Sequence, residues 1–368
     1  MYNGQDLASA LSGLGVSSSL VCEKQTPNFD KYEFVLQNIK DYKKLKNCTL
    51  WLSKRLHSHI YLTDAQNGDF CLDFARKTRA VIPFSWAYNR MEQKPLYALV
   101  GVDDNNSVIS ISLEDFVSGL CVGTSGSGKS TFLHSFIQSL AYNSTPKELK
   151  FVLVDIKQTE LTQYYDLPHL YSAPITDVSS ADAMLSHLIK EMHRRYKIMK
   201  ELGLQKLTNE LPHILIVVDE LAELMLSGVS EIQTSLIRLC QLGRACGIHC
   251  LLCTQSPRVS VVNGLVQSNT PSKFALHTSN TRESILALNH GGCEKLLGKG
   301  DMIFKRPDSV NEIRVQVPYA TAKNIPYRHE THFVDKVIEK DTNEPPTTQN
   351  EMNLPTIDEL NWLDCVDD

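Results

Sequence analysis

The chain has 368 residues, 42% of them hydrophobic, and a formal net charge of −5; this is ample for one large or two modest cored domains and excludes a strongly basic nucleic-acid protein. No apolar run approaches the roughly 18 residues that would span a bilayer, and Met1 to Leu20 lacks the basic start and continuous apolar block of a signal peptide, so the expected compartment is cytoplasmic. The charge is unevenly spread, with eight acidic residues and no Lys or Arg from Asp341 to Asp368, leaving 37 basic against 34 acidic residues in positions 1–340; a partner made of phosphates is therefore not excluded.

Met1 to Asn28 is rich in Ser, Gly and polar residues with little period, and is expected to be a loose lead-in. Residues 29–84 read as a small α+β domain. It has a strand at Tyr32-Glu33-Phe34-Val35-Leu36, a helix from Asp41 to Leu56, and strands at His59 to Leu62 and Phe70 to Phe74, joined as a hairpin through Asn67-Gly68-Asp69. The basic cluster Lys40, Lys43, Lys44, Lys46, Lys54 and Arg55 is either a solvated helix face or a nucleic-acid contact. A linker around Pro83 to Pro95 leads to strands at Leu96 to Val100 and Val108 to Leu113. From there strands alternate with helices, the pattern of an α/β fold with a mostly parallel sheet covered on both faces.

The first chemistry lies at Gly123-Thr124-Ser125-Gly126-Ser127-Gly128-Lys129-Ser130, which is G-x-x-x-x-G-K-[ST]. The buried strand Gly119 to Val122 precedes it and a helix from Thr131 to Tyr142 follows, with Phe132, Leu133, Phe136 and Leu140 on one face, so the motif has its strand-loop-helix context. Glycines let successive backbone amides turn around the α- and β-phosphates of a nucleotide, and the helix adds its positive dipole end. Lys129 is expected on the β- and γ-phosphates, Ser130 on Mg²⁺, and residues Gly123 to Thr131 form the nucleotide-binding set. Phe151 to Asp155 is a buried strand ending in an acid. Ser180 to Leu202 is a long amphipathic helix whose Met184, Leu188, Met192, Met199 and Leu202 stripe suits a core.

Ile214 to Val218 is a fully apolar strand with Asp219-Glu220 at its C-terminal end, where open α/β sheets place their ligands. In this Walker B arrangement Asp219 is expected in the Mg²⁺ shell and Glu220 on the attacking water. A helix from Ile232 to Cys246 and a strand from Ile248 to Cys253 come next. Gln255 at the strand's tip is placed to sense the γ-phosphate. Arg244 is either a helix-end cation satisfying the dipole or a finger acting on a neighbouring subunit. Of the ten cysteines, Cys240, Cys246, Cys250 and Cys253 cluster in sequence, but Cys250 and Cys253 share a strand and point to opposite faces, so buried thiols are expected rather than a zinc site. Ser256 to Pro271 reads as a long polar loop, Lys273 to Thr278 as a strand, and Gly298-Lys299-Gly300-Asp301 introduces a final hairpin through Val317. Residues 331–368 are an acidic tail, expected to be disordered. Its Leu360, Trp362, Leu363 and Val366 suit a protein partner, and an inert solubilising tail is the other reading.

Together these blocks resemble the motor domain of the FtsK/SpoIIIE family of DNA translocases. The likeness rests on the phosphate-loop motif, on Glu191-Met192-His193-Arg194-Arg195-Tyr196-Lys197, on Ile216 to Met225, on Gly243-Arg244-Ala245-Cys246-Gly247-Ile248-His249, and on Leu296-Leu297-Gly298-Lys299-Gly300-Asp301-Met302. Their order is family-like from about Leu96 to Val317, within an expected RecA-like motor domain at 85–330, and Tyr32 to Ile82 looks like the small domain that precedes it in that family. The resemblance implies a P-loop ATPase, a homo-hexameric ring around double-stranded DNA, and ATP with Mg²⁺ bound between subunits. It implies DNA contacts near Arg258, Lys273 and Arg282, on loops including Thr159 to Pro168 and Ser256 to Pro271. Two departures bear on those contacts: the family's Thr-Gln-Arg-Pro is here Thr254-Gln255-Ser256-Pro257, and Lys273 stands where the family has Arg, a point charge in place of a fork. The chain is expected to be a compact member from plasmid, phage or conjugative DNA, with neither a membrane region nor a winged-helix domain. An ATPase that moves protein, or an ATP-gated assembly scaffold, are the alternatives, because fold does not settle substrate.

Overall fold

The structure, a computed structural model, describes residues 4–322 except 57, 58, 64, 66, 67, 77 and 208–210. Asn67 and the acidic tail thus lie outside the described residues. Contacts group most of the chain into two compact units, one ending at Val81 and the other beginning at Ile82.

In the first unit, residues expected as a loose lead-in instead form a helix, α1 (Gly4–Gly13), and a strand, β1 (Ser18–Gln25). Leu7 and Leu11, one turn apart, bury on one helix face. β1 is an edge strand with no fully buried residue, and its polar composition hides it in the sequence. β2 (Phe29–Leu36), α2 (Tyr42–Leu56), β3 (Ile60–Thr63) and β4 (Phe70–Ala75) follow, and the four strands pair antiparallel in the order β1-β2-β4-β3. Tyr32, Phe34, Phe70, Leu72 and Phe74 meet Leu7, Leu11, Leu45 and Leu52 in one core.

The second unit opens with the short α3 (Phe84–Tyr88), then β5 (Tyr97–Asp103), β6 (Val108–Ser112), α4 (Leu113–Phe116) and β7 (Gly119–Val122). α5 (Lys129–Asn143), β8 (Leu149–Val154), α6 (Val178–Leu202), β9 (His213–Val218), α7 (Leu221–Met225), α8 (Ser230–Leu242) and β10 (Ile248–Thr254) come next. The unit closes with α9 (Gly264–Asn269), β11 (Ser272–Leu276), α10 (Thr281–Leu288), β12 (Asp301–Lys305) and β13 (Glu312–Gln316). All nine strands form one sheet, β6-β5-β13-β12-β11-β7-β10-β9-β8. β11, β7, β10, β9 and β8 are mutually parallel, while β12, β13, β5 and β6 extend the sheet antiparallel.

Both faces of the parallel half are covered, which is why its strands read as unbroken apolar runs. Phe151, Leu153, Leu215, Val217, Leu251 and Cys253 pack with Phe132, Phe136 and Leu140 of α5. Val152, Val154, Ile214, Ile216, Cys250 and Leu252 pack with α6 and α8 through Leu188, Met192, Met199, Leu236 and Leu239. Cys250 and Cys253 therefore lie in separate cores, on opposite faces of β10. The stretch 256–271 differs from a plain polar loop: Val261 and Val262 are fully buried and α9 forms within it. No helix among the described residues is long and apolar enough to cross a membrane.

One buried charge ties α6 to the turn before β10. Arg195 is 2% exposed; its Nε donates to Glu191 Oε1 at 2.9 Å and its Nη1 to the Cys246 carbonyl at 2.9 Å. Removing Arg195 leaves the Cys246 carbonyl without this donor and opens a large buried cavity, while Glu191 keeps Arg194 at 2.6 and 2.8 Å; an orphaned buried acceptor costs about 1–3 kcal/mol. Arg195→Ala is accordingly expected to lower unfolding stability by about 3 kcal/mol, measured by urea denaturation, whereas the same change at exposed Arg194 falls well below that.

Candidate functional site

Strand register brings the sequence motifs to one edge of the sheet. Val122 pairs with Thr254, Leu252 with Val218, and Val218 with Val154, so the residues that follow, Gly123, Gln255, Asp219 and Asp155, emerge side by side at the C-terminal strand ends. Gly126 and Gly128 take left-handed φ values of 74° and 102°, open to glycine at little cost. Gly128 caps α5, whose first bond runs from Phe132 N to Gly128 O at 2.9 Å. The amides of Lys129, Ser130 and Thr131 therefore have no carbonyl partner within the helix, the arrangement that receives phosphate oxygens. The Ser127 hydroxyl is buried without a hydrogen-bond partner.

The loop is clamped from outside. Gly300 N donates to Ser127 O at 2.7 Å and Lys299 N to Gly126 O at 3.2 Å. A Cβ on Gly128 would lie 2.4 Å from Gly300 N, so Gly128 tolerates no side chain at this approach. Gln316 Nε2 holds the Lys299 carbonyl at 2.9 Å. Asp301, fully buried, is gripped by Arg314 through Nε at 2.9 Å and Nη2 at 2.6 Å. The Gly298-Lys299-Gly300-Asp301 stretch, read in the sequence as a turn into a hairpin and as part of a family-like block, is thus a buttress of the phosphate loop.

Lys129 is 3% exposed, and its ammonium donates to the Asp219 carbonyl at 2.7 Å and contacts the Asp219 carboxylate. Burial works against its charge, and the adjacent carboxylate more than compensates, holding the lysine above its ordinary pKa. Glu220 is 5% exposed. Its Oε1 accepts from Thr254 Oγ1 at 2.7 Å, its Oε2 from the Gln255 amide at 3.2 Å, and Lys157 Nζ stands 3.5 Å from Oε2. Gln255 thus touches the glutamate through its backbone. Lys157 carries no motif of its own, and Thr254 enters through the Thr254-Gln255-Ser256-Pro257 block. Asp155 accepts from the amides of Thr159, Glu160, Leu161 and Thr162 at 2.7 to 3.3 Å. Glu160 in turn accepts from the Ser130 hydroxyl at 2.5 Å. The signal available for this group was His134, one turn after Ser130 on the same helix face. Hydroxyl and carboxylate oxygens from Ser130 and Asp219 suit a hard cation such as Mg²⁺, and the amide cradle with Lys129 suits a polyphosphate.

Residues 84–210 and 205–259 match the FtsK/SpoIIIE family. This part of the chain is an FtsK/SpoIIIE-family domain. Among curated relatives, DNA translocase SftA of Bacillus subtilis is 37% identical over 248 residues, 64% of this chain and 26% of its own length. DNA translocase FtsK of Mycobacterium leprae is 34% identical over 296 residues, 75% of this chain and 34% of its own length. The chain therefore spans about a quarter to a third of these relatives. Among solved structures, the pCW3 conjugation coupling protein TcpA, in a monomer form with ATPγS, superposes with a TM-score of 0.62 at 22% identity, over 86% of this chain and 94% of that one. The cytoplasmic domain of the type VII secretion ATPase EccC of Thermomonospora curvata gives 0.56 at 26% identity, over 62% of this chain and 29% of that one. The TcpA likeness carries the P-loop α/β fold, not substrate.

The expected basic residues fall in different places. Arg258 and Arg282 are exposed. Arg244 is exposed in a 3-10 turn, Arg244–Cys246, at the N-terminal end of β10. The seven residues of β10, about 23 Å at 3.3 Å per residue, separate it from the strand ends that carry Gly123 and Asp219. It does not reach the phosphate loop of the same chain. Lys273 departs from the expected DNA contact, because it is 6% exposed and its ammonium donates to the Gln267 carbonyl at 3.0 Å and to Thr270 Oγ1 at 3.1 Å. A β-strand alternation that buries every residue of β11 leaves it no route to solvent.

Burial, with the Lys305 charge opposite adding to it, brings the Lys273 pKa down from 10.5 to about 8. The unfolded chain keeps the ordinary value, so between these two pH values it binds more protons than the folded chain. Stability contributed by this site is present above pH 10.5 and lost as pH falls through about 8. Urea midpoints for wild type and Lys273→Met are expected to diverge, wild type gaining on the variant as pH rises across that window; curves that stay parallel would show that Lys273 is charged in the fold.

Proposed function

We propose that this chain is an ATP-driven translocase of double-stranded DNA that works as a homo-hexameric ring in the cytoplasm. The observation that carries the reading is the convergence of the clamped phosphate loop, Asp219 and Glu220 on one edge of a sheet in a domain whose curated relatives bear the name DNA translocase. Residues Gly123 to Thr131 bind the ATP phosphates, with Lys129 exchanging its Asp219 contact for the β- and γ-phosphates. Ser130 and Asp219 hold Mg²⁺, which when bound supplies charge neutralisation at the phosphates. Glu220, steadied by Thr254, Gln255 and Lys157, orients the attacking water and accepts its proton. Arg258 and Arg282, exposed and on elements that follow the site, serve as phosphate contacts to DNA. Such contacts carry little sequence preference. The acidic tail offers a surface to a protein partner. A second reading, an ATPase that moves protein, draws on the likeness to EccC.

ATP turnover measured with and without long duplex DNA at two salt concentrations separates these readings. DNA is expected to stimulate the rate several-fold at low salt and less at high salt; a rate indifferent to DNA would reject the translocase. Lys129→Ala is expected to lose ATP binding or turnover, whereas Glu220→Gln keeps binding and loses hydrolysis. Glu220→Gln turning over like wild type would remove it from the mechanism.

Arg244, far from its own phosphate loop, acts on the ATP of the neighbouring subunit. A cation supplied in this way is worth roughly 10³ to 10⁵ in rate. Arg244→Ala is expected to bind ATP and hydrolyse it at least 10³-fold more slowly. Co-assembly of Arg244→Ala with Lys129→Ala restores part of the activity, because some interfaces then pair an intact Lys129 with an intact Arg244. Co-assembled rings that stay inactive would move the role to Arg258 or Arg282.

A further inference from the structure

A hydroxyl has one proton and two lone pairs, and as a metal ligand it uses a lone pair, so its proton needs an acceptor elsewhere. The Ser130 hydroxyl donates to Glu160 Oε1 at 2.5 Å. The other Glu160 oxygen lies 3.4 Å from His134 Nε2, and His134 Nδ1 lies 2.9 Å from the Tyr164 hydroxyl. His134 and Tyr164 are 6% and 1% exposed. The backbone beneath Glu160 is fixed separately, its own amide and that of Leu161 donating to Asp155 Oδ2 at 2.9 and 2.7 Å. The carboxylate is therefore not needed to hold its loop in place.

We propose that Glu160 is a positioning residue for the metal-binding hydroxyl of Ser130, with His134 and Tyr164 setting its orientation. The carboxylate accepts a hydrogen bond from the hydroxyl, whose proton stays on Ser130; this turns the Ser130 lone pairs away from Glu160 and makes the oxygen a stronger donor to the metal. Groups that bond to metal ligands in this way typically change metal affinity by 10- to 100-fold when removed. The inference rests on the reading of Ser130 as a magnesium ligand.

Mn²⁺ in place of Mg²⁺ makes the site visible to electron paramagnetic resonance. The full chain, with ATPγS present, is titrated with Mn²⁺ as wild type, Glu160→Gln, Ser130→Ala and the double variant. Glu160→Gln keeps shape and loses charge, and is expected to weaken Mn²⁺ binding by about 10-fold or more, while ATPγS affinity in EDTA stays unchanged. Its ATPase activity recovers as Mg²⁺ is raised, which a collapsed loop would not do. The double variant is expected to bind Mn²⁺ no more weakly than Ser130→Ala alone, since Glu160 acts through that hydroxyl. His134→Gln, at the Glu160 oxygen that does not bond Ser130, moves Mn²⁺ affinity in the same direction and serves if Glu160→Gln does not fold. Wild-type Mn²⁺ affinity in Glu160→Gln, or losses that add in the double variant, would overturn the role of Glu160 while an impaired Ser130→Ala leaves the magnesium reading standing. Ser130→Ala binding Mn²⁺ like wild type would overturn both.

Discussion

Carboxylates and a lysine are buried together at the tips of parallel strands, and each must find a partner inside the protein. Asp155 takes four backbone amides, which folds the segment after β8 back upon itself. Asp219 takes Lys129 and so ties the start of α5 to the end of β9. Glu220 takes the Thr254 hydroxyl and the Gln255 amide, joining β9 to β10. Glu160 takes Ser130, bringing the β8 segment onto α5. Loop shapes around the site follow from this distribution of donors. A ligand that offers oxygens or a cation enters a network whose members already have substitutes, so binding exchanges partners rather than creating a site from open space.

Much of this was legible in the sequence for physical reasons. Strands buried on both faces read as continuous apolar runs, and the glycine pattern of 123–128 allows few other shapes. Asp219-Glu220 stood out because charge at the end of a wholly apolar strand needs a purpose. What stayed hidden depended on partners distant in the chain. Lys273 reads as a surface cation until the carbonyl of Gln267 and the hydroxyl of Thr270 are seen to receive it. β1, an edge strand, carries no alternation strong enough to mark it, and α1 shows only Leu7 and Leu11. Val261 and Val262 are buried by neighbours that no local pattern announces. Glu160 lay within a polar run where one acid resembles any other.

The sheet has two characters with different duties. Its parallel half presents strand ends to the site, while the antiparallel half, β12 and β13 with β5 and β6, supplies the support behind the phosphate loop. Arg314 on β13 grips Asp301 on β12, Gln316 holds Lys299, and the two amides of 299 and 300 reach the loop. The hairpin therefore supports the phosphate loop through the backbone amides of Lys299 and Gly300.

That support is encoded near the end of the domain, whereas the loop it shapes is encoded near the beginning. A ribosome delivers the chain from its N-terminus at about 5–20 residues per second. β7 and α5 thus leave the ribosome well before Gly300 exists to hold Gly126 and Ser127. During that interval the strand and helix are free to form, but the carbonyls that the clamp fixes remain at liberty and the amides around them unaligned. The clamp bonds join residues 173 apart in the chain, so they can form only once the hairpin has been made. Nascent and truncated chains that lack the hairpin also lack the two amides, of Lys299 and Gly300, that hold Gly126 and Ser127.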